Sequence, residues 1–292
     1  MHVVSMFGDE AIVPYFALLY WIMDKYKCVY GIWLVPLSEI VNGCFKWYYR
    51  VPRPAWVDPQ IDTKGSWSHE YSFPSSHSQI VWALATFFSG TSIASLRQKM
   101  FGSVGTTKAA YWYFLAMPFA FAATVSLSRV CEGVHYPRDV TVGAGVGVSL
   151  AALYMRVLPG VKNWLRAQPA GMRWAAMQAF SLFAYGVMRL YHAHTPPESD
   201  DQLKSWAQNA TALTRHEGKT LDPRGEPLKG YTGMVGVMSG LAAGEALLQH
   251  LPLAPPKSAA SAAARAVLGL AGLMAVFLGI RAVEKDVEKK HN

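Results

Sequence analysis

Charged residues are scarce in this chain of 292 residues, at 16% of the total against about 25% in an average soluble domain. Hydrophobic residues account for 52%, so the low hydrophobicity and dense charge of a disordered chain are both missing. The formal net charge of +8 would suit a nucleic-acid partner in a polar chain, but here the basic residues lie between apolar runs, as in the loops of membrane proteins. We therefore expect an integral membrane protein without a nucleic-acid partner.

Cysteine is also rare, and its three positions, Cys28, Cys44 and Cys131, lie in or beside apolar runs. This placement excludes a disulfide-stapled secreted domain, and the spacing fits neither a metal site nor a redox pair. The aromatic clusters at residues 47–49 and 111–113 are typical of the interfacial belt of a membrane protein rather than of a cofactor site. We expect no cofactor and no metal.

Long runs without charge divide the chain into about eight blocks. Residues 78–96 and 109–128 are 19 and 20 residues long, close to the ~20 that a hydrocarbon core requires. The other blocks, shorter or interrupted by one charge, lie at residues 11–23, 28–45, 140–155, 174–188, 230–244 and 266–280. The predicted fold class is therefore all-α, a polytopic transmembrane helical bundle of about eight spans. No basic segment precedes the first block, so we expect no cleaved signal peptide.

Three polar clusters interrupt this pattern at the ends of apolar blocks. Burying an unpaired ionisable residue there costs free energy, so such residues indicate a functional site. The clusters are Lys46 to Arg53-Pro54, then Phe73-Pro74-Ser75-Ser76-His77, then Ser128-Arg129 to His135 and Asp139. If the blocks alternate across the bilayer, all three clusters emerge on one face. The sequence therefore predicts that they converge at one depth.

The cations of these clusters suit a phosphate group. Lys46, Arg53 and Arg129 supply three positive charges with many donors for the oxygens of a dianionic phosphate or its pentavalent transition state. The nearby carboxylates Glu39, Asp58 and Glu132 are expected to be supporting or solvated groups rather than catalytic ones.

The histidines suit phosphoryl transfer. His135 and Asp139 are four residues apart, so they can share a helix face, with the carboxylate holding one ring nitrogen and leaving the other as a nucleophile. His77 stands at the start of a predicted helix, beside backbone N–H groups that favour an anion. We expect His77 to protonate the leaving oxygen and later to activate water.

These residues resemble the signature of the type 2 phosphatidic acid phosphatase and vanadium haloperoxidase superfamily: K-x6-R-P, then P-S-G-H, then S-R-x5-H-x3-D. Every spacing matches, and one residue departs, since Ser76 stands where the pattern has Gly. The resemblance covers roughly residues 8–158. It implies a helical bundle, a phosphohistidine intermediate on His135, an acid and base in His77, and no metal requirement. It also places Ser75 and Ser76 with the three cations around the phosphate.

The resemblance divides the chain into a catalytic transmembrane phosphatase core at residues 1–158 and additional helices at 159–292, with a polar loop at 192–228 that carries a short amphipathic helix. The leading hypothesis is a membrane phosphatase for a phosphomonoester or diphosphate of a lipid. The candidate lipids are a long-chain-base phosphate, phosphatidic acid and a polyprenyl diphosphate. One alternative is a sugar phosphatase similar to glucose-6-phosphatase, and another is a catalytically silent lipid-binding protein on the same scaffold. A haloperoxidase is disfavoured because those enzymes are soluble or peripheral.

The distribution of basic residues predicts the side of the membrane. From residue 25 to residue 173, nine Lys and Arg lie on the face opposite the clusters, whereas six lie on the cluster face and three of those belong to the site. Because Lys and Arg accumulate in cytoplasmic loops, the site should face the lumen or the exterior. The tail Lys289-Lys290-His291-Asn292 resembles a dilysine signal for the endoplasmic reticulum, which acts from the cytosol. Eight spans would put it on the other side, so either the span count is off by one or the dilysine is a chance feature.

Overall fold

The computed structural model describes residues 25–63, 67–101, 108–213 and 220–248, and every regular element in these ranges is an α-helix. The helices are α1 (Lys25–Tyr49), α2 (Pro54–Val57), α3 (Ser76–Phe101), α4 (Lys108–Cys131), α5 (Pro137–Ala167), α6 (Ala170–His194), α7 (Asp200–Thr211) and α8 (Gly225–Leu248). The all-α prediction is confirmed for this part of the chain. Six predicted apolar blocks coincide with the six long helices, while the blocks at 11–23 and 266–280 lie outside the described residues.

One described helix, α5, is both long and apolar enough to cross a membrane. Only 22% of its most apolar stretch is buried, so α5 is not the enclosed core helix of a soluble protein. Leu153, Val157 and Trp164 on this helix are exposed, as a lipid-facing surface requires. A single candidate does not confirm eight spans, and that number stays a prediction.

The helices form two groups that share α1. On one side α1 packs against α3, which in turn packs against α5 and α4. On the other side α1 packs against α6 and α8, which also pack against each other, while the short α7 packs on α2. The predicted boundary at residue 158 falls within α5, and the division of the chain into two parts remains a prediction.

Two glycines bring α5 against the start of α3. A Cβ atom on Gly143 would lie 2.6 Å from the Ser75 carbonyl oxygen, and one on Gly147 would lie 2.2 Å from the Gln79 carbonyl oxygen. Any side chain at either position would therefore push the helices apart. This close approach sets the His77 end of α3 beside the Asp139 end of α5.

A buried network of side-chain amides joins the first turn of α3 to α1. Asn42 Nδ2 donates to Gln79 Oε1 at 2.9 Å, and Gln79 Nε2 donates to the Ser38 carbonyl oxygen at 2.8 Å. All three residues are almost fully buried. Because a buried polar group costs free energy unless it is bonded, the network specifies one register between the two helices.

Candidate active site

The three polar clusters meet in the structure, as predicted. The backbone N–H of Ser75, in the second cluster, donates to the carbonyl oxygen of Asp139, in the third, at 3.1 Å. Arg53 of the first cluster reaches the third, since its Nη1 donates to the Val134 carbonyl oxygen at 3.1 Å. Residues far apart in sequence are thus joined by direct hydrogen bonds at one end of the bundle.

Arg53 is placed by a proline that starts a helix. Pro54 begins α2, and Arg53 is its N-cap in extended backbone conformation, as expected for a residue that precedes proline. The guanidinium is buried, and its Nε donates to the Glu70 carbonyl oxygen at 2.7 Å. Burial lowers the pKa of Arg53 to about 10, so the side chain remains charged at neutral pH.

Lys46 and Arg129 lie in the last turns of α1 and α4, each paired with a carboxylate. Lys46 is 1% exposed and forms a buried ion pair with Glu70, while Arg129 Nη1 lies 3.1 Å from Glu132 Oε2. Burial tends to raise the pKa of Glu70, but the positive charge of Lys46, followed by that of Arg53, brings it below its usual value. Glu70 is therefore ionised and holds the cations in place.

His135 and Asp139 are connected through a third side chain, Ser72. Asp139 occupies the third position of α5, where Oδ2 accepts from the Tyr136 backbone N–H at 3.0 Å. The gap from this oxygen to His135 Nδ1 is 3.7 Å, too long for a hydrogen bond. The Ser72 hydroxyl donates to Oδ2 and lies 3.3 Å from Nδ1, so it bridges the two groups.

The environment of His135 keeps the ring neutral. Its pKa lies well below its usual value, first because the ring is buried, and then because Arg53 and Lys46 oppose another positive charge. The charges of His77 and Arg129 lower the pKa of His135 in the same direction. A neutral imidazole has one nitrogen with a free lone pair, as a nucleophile needs.

The second cluster forms the start of α3, where Ser76 and His77 are the first two residues. Ser75, fully buried, precedes the helix and closes its first turn through its carbonyl oxygen, which accepts from the Gln79 N–H at 3.0 Å. Ser76 is buried and His77 is half-buried. The unpaired N–H groups of a first helical turn favour an anion, so this end suits a phosphate.

The structure adds three residues that the motif pattern did not single out for the site. Ser72 bridges His135 and Asp139, and Glu70 and Glu132 pair with the cations. Glu132, expected to be supporting or solvated, is 4% exposed and therefore supports Arg129. Proximity in sequence was the available signal, since each lies within seven residues of a motif histidine. Within the described ranges, no group of three His, Cys, Asp or Glu residues is arranged to hold a metal ion.

The motif region is similar to a known protein family. The model of the PAP2 superfamily matches residues 28–162, which contain all three clusters. A dihydrosphingosine 1-phosphate phosphatase of Schizosaccharomyces pombe is 30% identical over 111 residues, covering 38% of this chain and 25% of the relative. The lipid phosphate phosphatase delta of Arabidopsis thaliana is 24% identical over 157 residues, 52% of this chain and 36% of the relative.

A bacterial relative aligns over a larger share of its own length. The bacitracin transport permease protein BcrC of Bacillus licheniformis is 28% identical over 159 residues, which is 52% of this chain and 68% of the relative. The chain spans between a quarter and about a third of the two eukaryotic phosphatases. No solved structure matches the chain.

Proposed function

We propose that the chain is an integral membrane phosphatase that hydrolyses a phosphomonoester or diphosphate of a lipid through a phosphohistidine on His135, and the match of residues 28–162 to the PAP2 superfamily supports this proposal. The observation that carries the proposal is the site itself. A buried, neutral His135 is tied to Asp139 through Ser72 and is surrounded by the charges of Lys46, Arg53 and Arg129. No step in this mechanism needs an ion or cofactor.

The three cations bind the phosphate and stabilise the transition state. Each cation is held in the resting site by a carboxylate or a carbonyl oxygen, so its position is set before substrate arrives. The guanidinium groups of Arg53 and Arg129 can each contact two oxygens, whereas Lys46 acts as a point charge. The N–H groups at Ser75 and Ser76 add donors from the start of α3.

Transfer proceeds in two balanced steps. In the first, His135 Nε2 attacks phosphorus, the P–O bond to the alcohol or phosphate leaving group breaks, and His77 gives its proton to the departing oxygen. In the second, His77 takes a proton from water, the oxygen of that water forms a bond to phosphorus, and the P–N bond breaks. Ser72 accepts from Nδ1–H and donates to Asp139, which keeps Nε2 as the unprotonated nitrogen.

The relatives support a lipid substrate. Two of them are a dihydrosphingosine 1-phosphate phosphatase and a lipid phosphate phosphatase, and a phosphate at headgroup level would reach a site at the ends of apolar helices. A long-chain-base phosphate, phosphatidic acid and a polyprenyl diphosphate share this chemistry. A sugar phosphatase uses the same site without the lipid, and a catalytically silent protein would retain the scaffold alone.

The proposed location follows from the charge distribution. The excess of Lys and Arg on the face opposite the clusters favours a site that faces the lumen or exterior. A dilysine signal acts from the cytosol, so a location in the endoplasmic reticulum membrane requires the tail and the site to lie on opposite faces of the membrane. The tail residues lie outside the described part of the chain.

A substrate panel tests the proposal. Purified protein in detergent is assayed side by side on the three lipid substrates and on hexose phosphates, with His135→Ala as the inactive control. We expect phosphate release from at least one lipid, faster than from any hexose phosphate, and none from His135→Ala. Faster release from a hexose phosphate would favour the sugar phosphatase. Release undiminished in His135→Ala would contradict the mechanism.

A further inference from the structure

We infer that the polar segment between α6 and α8 positions the phosphate-binding residues, and that Glu198 is the positioning residue through which it acts. We call the described part of this segment, residues 195–213 and 220–224, the cap. The inference rests on the proposed function, since it concerns the same phosphate site. The match to the PAP2 superfamily ends at residue 162, before the cap begins.

Glu198 joins two stretches of chain that carry the cations and their partners. Its Oε1 accepts from Arg50 Nε at 3.1 Å and from the Tyr71 hydroxyl at 2.9 Å. Arg50 lies between Lys46 and Arg53, and Tyr71 lies between Glu70 and Ser72. The Glu198 carboxylate is only 10% exposed, so removing its partner is more costly than breaking an exposed surface pair. One carboxylate oxygen from the cap therefore fixes both sides of the phosphate site.

Arg50 occupies a strained turn that needs such a partner. Its φ of 51° is in the left-handed region, which is uncommon for residues with a side chain. Its N–H donates to the Lys46 carbonyl oxygen at 2.9 Å, so this turn ends α1 directly after Lys46. Val51, the next residue, accepts from the Ser72 N–H at 2.8 Å. A shift at Arg50 would move Lys46 and Ser72 together.

Further contacts of the cap lie on the same region. Trp206 of α7 packs on Trp56 of α2 with ring centroids 5.3 Å apart, and Asn209 Nδ2 donates to the Trp56 carbonyl oxygen at 2.9 Å. On the other side, the Asp222 backbone N–H donates to His69 Nδ1 at 3.1 Å. All of these contacts fall on residues 56–69, between the Arg53 turn and the loop that carries Glu70. The cap is thus anchored at Trp56 and at His69, in addition to the bonds of Glu198 to Arg50 and Tyr71.

Two variants test the role of Glu198 in the full-length protein. Glu198→Gln keeps the size of the side chain and removes its charge. Arg50→Gly removes the other partner and leaves a residue that adopts a positive φ freely. The matched control is Glu226→Gln, which breaks an exposed ion pair with Lys229 at the start of α8. The readouts are kcat, KM, the inhibition constant of orthovanadate (a tetrahedral oxyanion that mimics phosphate) and the melting temperature.

We expect both variants to lose about 10- to 100-fold in kcat/KM, the range that a small misplacement of a catalytic group produces. The vanadate inhibition constant should rise with KM, because Lys46 and Arg53 bind the oxyanion, while Glu226→Gln stays within about twofold of wild type on every readout. A purely structural role would lower the melting temperature and the active fraction without changing KM or vanadate inhibition. Values of KM and vanadate inhibition equal to wild type in both variants would overturn the inference.

Two further measurements keep the outcome decisive. If either variant fails to fold, Tyr71→Phe removes a single hydroxyl from the same contact and is judged by the same readouts. If wild type releases no phosphate from any substrate, the proposed function fails, and the thermal shift produced by orthovanadate still reports on the cap. A shift in wild type that Glu198→Gln abolishes supports the role of Glu198, and an equal shift in both contradicts it.

Discussion

Replacing Ser72 with alanine tests the bridge between His135 and Asp139. The hydroxyl donates to Asp139 Oδ2 and lies 3.3 Å from His135 Nδ1, while the direct gap between those atoms is 3.7 Å. Without the hydroxyl, the carboxylate no longer reaches the ring. The imidazole then loses the contact that fixes both its orientation and the position of its proton.

The size of the effect follows from burial. Ser72 and Asp139 are fully buried, so no water replaces the lost bond, and a buried polar group left unbonded costs about 1–3 kcal/mol. This corresponds to a loss of about 5- to 150-fold in kcat. Asp139 keeps its bond from the Tyr136 N–H, so the carboxylate itself stays in place. KM should change little, because the Ser72 hydroxyl bonds to His135 and Asp139 rather than to substrate.

The assay is steady-state phosphate release by wild type, Ser72→Ala and a control, Ser181→Ala. Ser181 is equally buried, but its hydroxyl donates to the Met177 carbonyl oxygen of its own helix, α6. The control should keep wild-type kcat. A kcat for Ser72→Ala equal to that of Ser181→Ala would contradict the role of Ser72 as a bridge between His135 and Asp139. A rise in KM with kcat unchanged would indicate that Ser72 contributes to substrate binding instead.

Three other predictions concern packing and pH. Gly147→Ala should destabilise the fold by about 1–3 kcal/mol, because the new methyl would lie 2.2 Å from the Gln79 carbonyl oxygen, whereas Gly145→Ala, with open space at that position, should not lower the melting temperature. Gln79→Leu should cost about 2–4 kcal/mol in denaturant unfolding, since it removes the buried hydrogen bonds of the Gln79 side chain to Asn42 and Ser38, and an unchanged midpoint would contradict the network. Because the folded-state pKa of His135 is lowered, the unfolded chain binds the proton more readily below pH ~6.5, so stability should fall as the pH drops below that value. His135→Asn should show a shallower fall in melting temperature between pH 6.5 and 5, and equal slopes would contradict the lowered pKa.

The sequence predicted the helices and the residues that meet at the site because both depend on short patterns. Runs with at most one charge mark the six long helices that the structure describes. The expectation that His135 and Asp139 share a helix face was wrong, because α5 begins at Pro137 and His135 lies in the bend before it. Pro54 and Pro137 mark helix starts that the motifs already contain. The type and spacing of the motif residues were therefore enough to predict which side chains form the site.

Contacts between distant segments could not be predicted in this way. Glu198 lies 148 residues from Arg50, and no local pattern indicates that the two will pair. The sequence around Ser72 is typical of a loop and does not indicate a role in the site. The contact with Asp139 depends on the close approach of α5 and α3. The number of spans stays open for a related reason, because hydropathy identifies apolar runs but does not distinguish a spanning helix from one that packs within the bundle.

Trapping of the phosphoenzyme tests the central claim most directly. Wild-type protein is mixed with a lipid phosphate that it hydrolyses, and the reaction is quenched in alkali within one turnover. The protein is then digested for mass spectrometry at neutral to alkaline pH, where a phosphohistidine survives. We expect one phosphate on the peptide that carries His135, lost on brief acid treatment and absent from His135→Ala. Phosphate on another residue, or steady turnover with no covalent intermediate under conditions that preserve one, would contradict it.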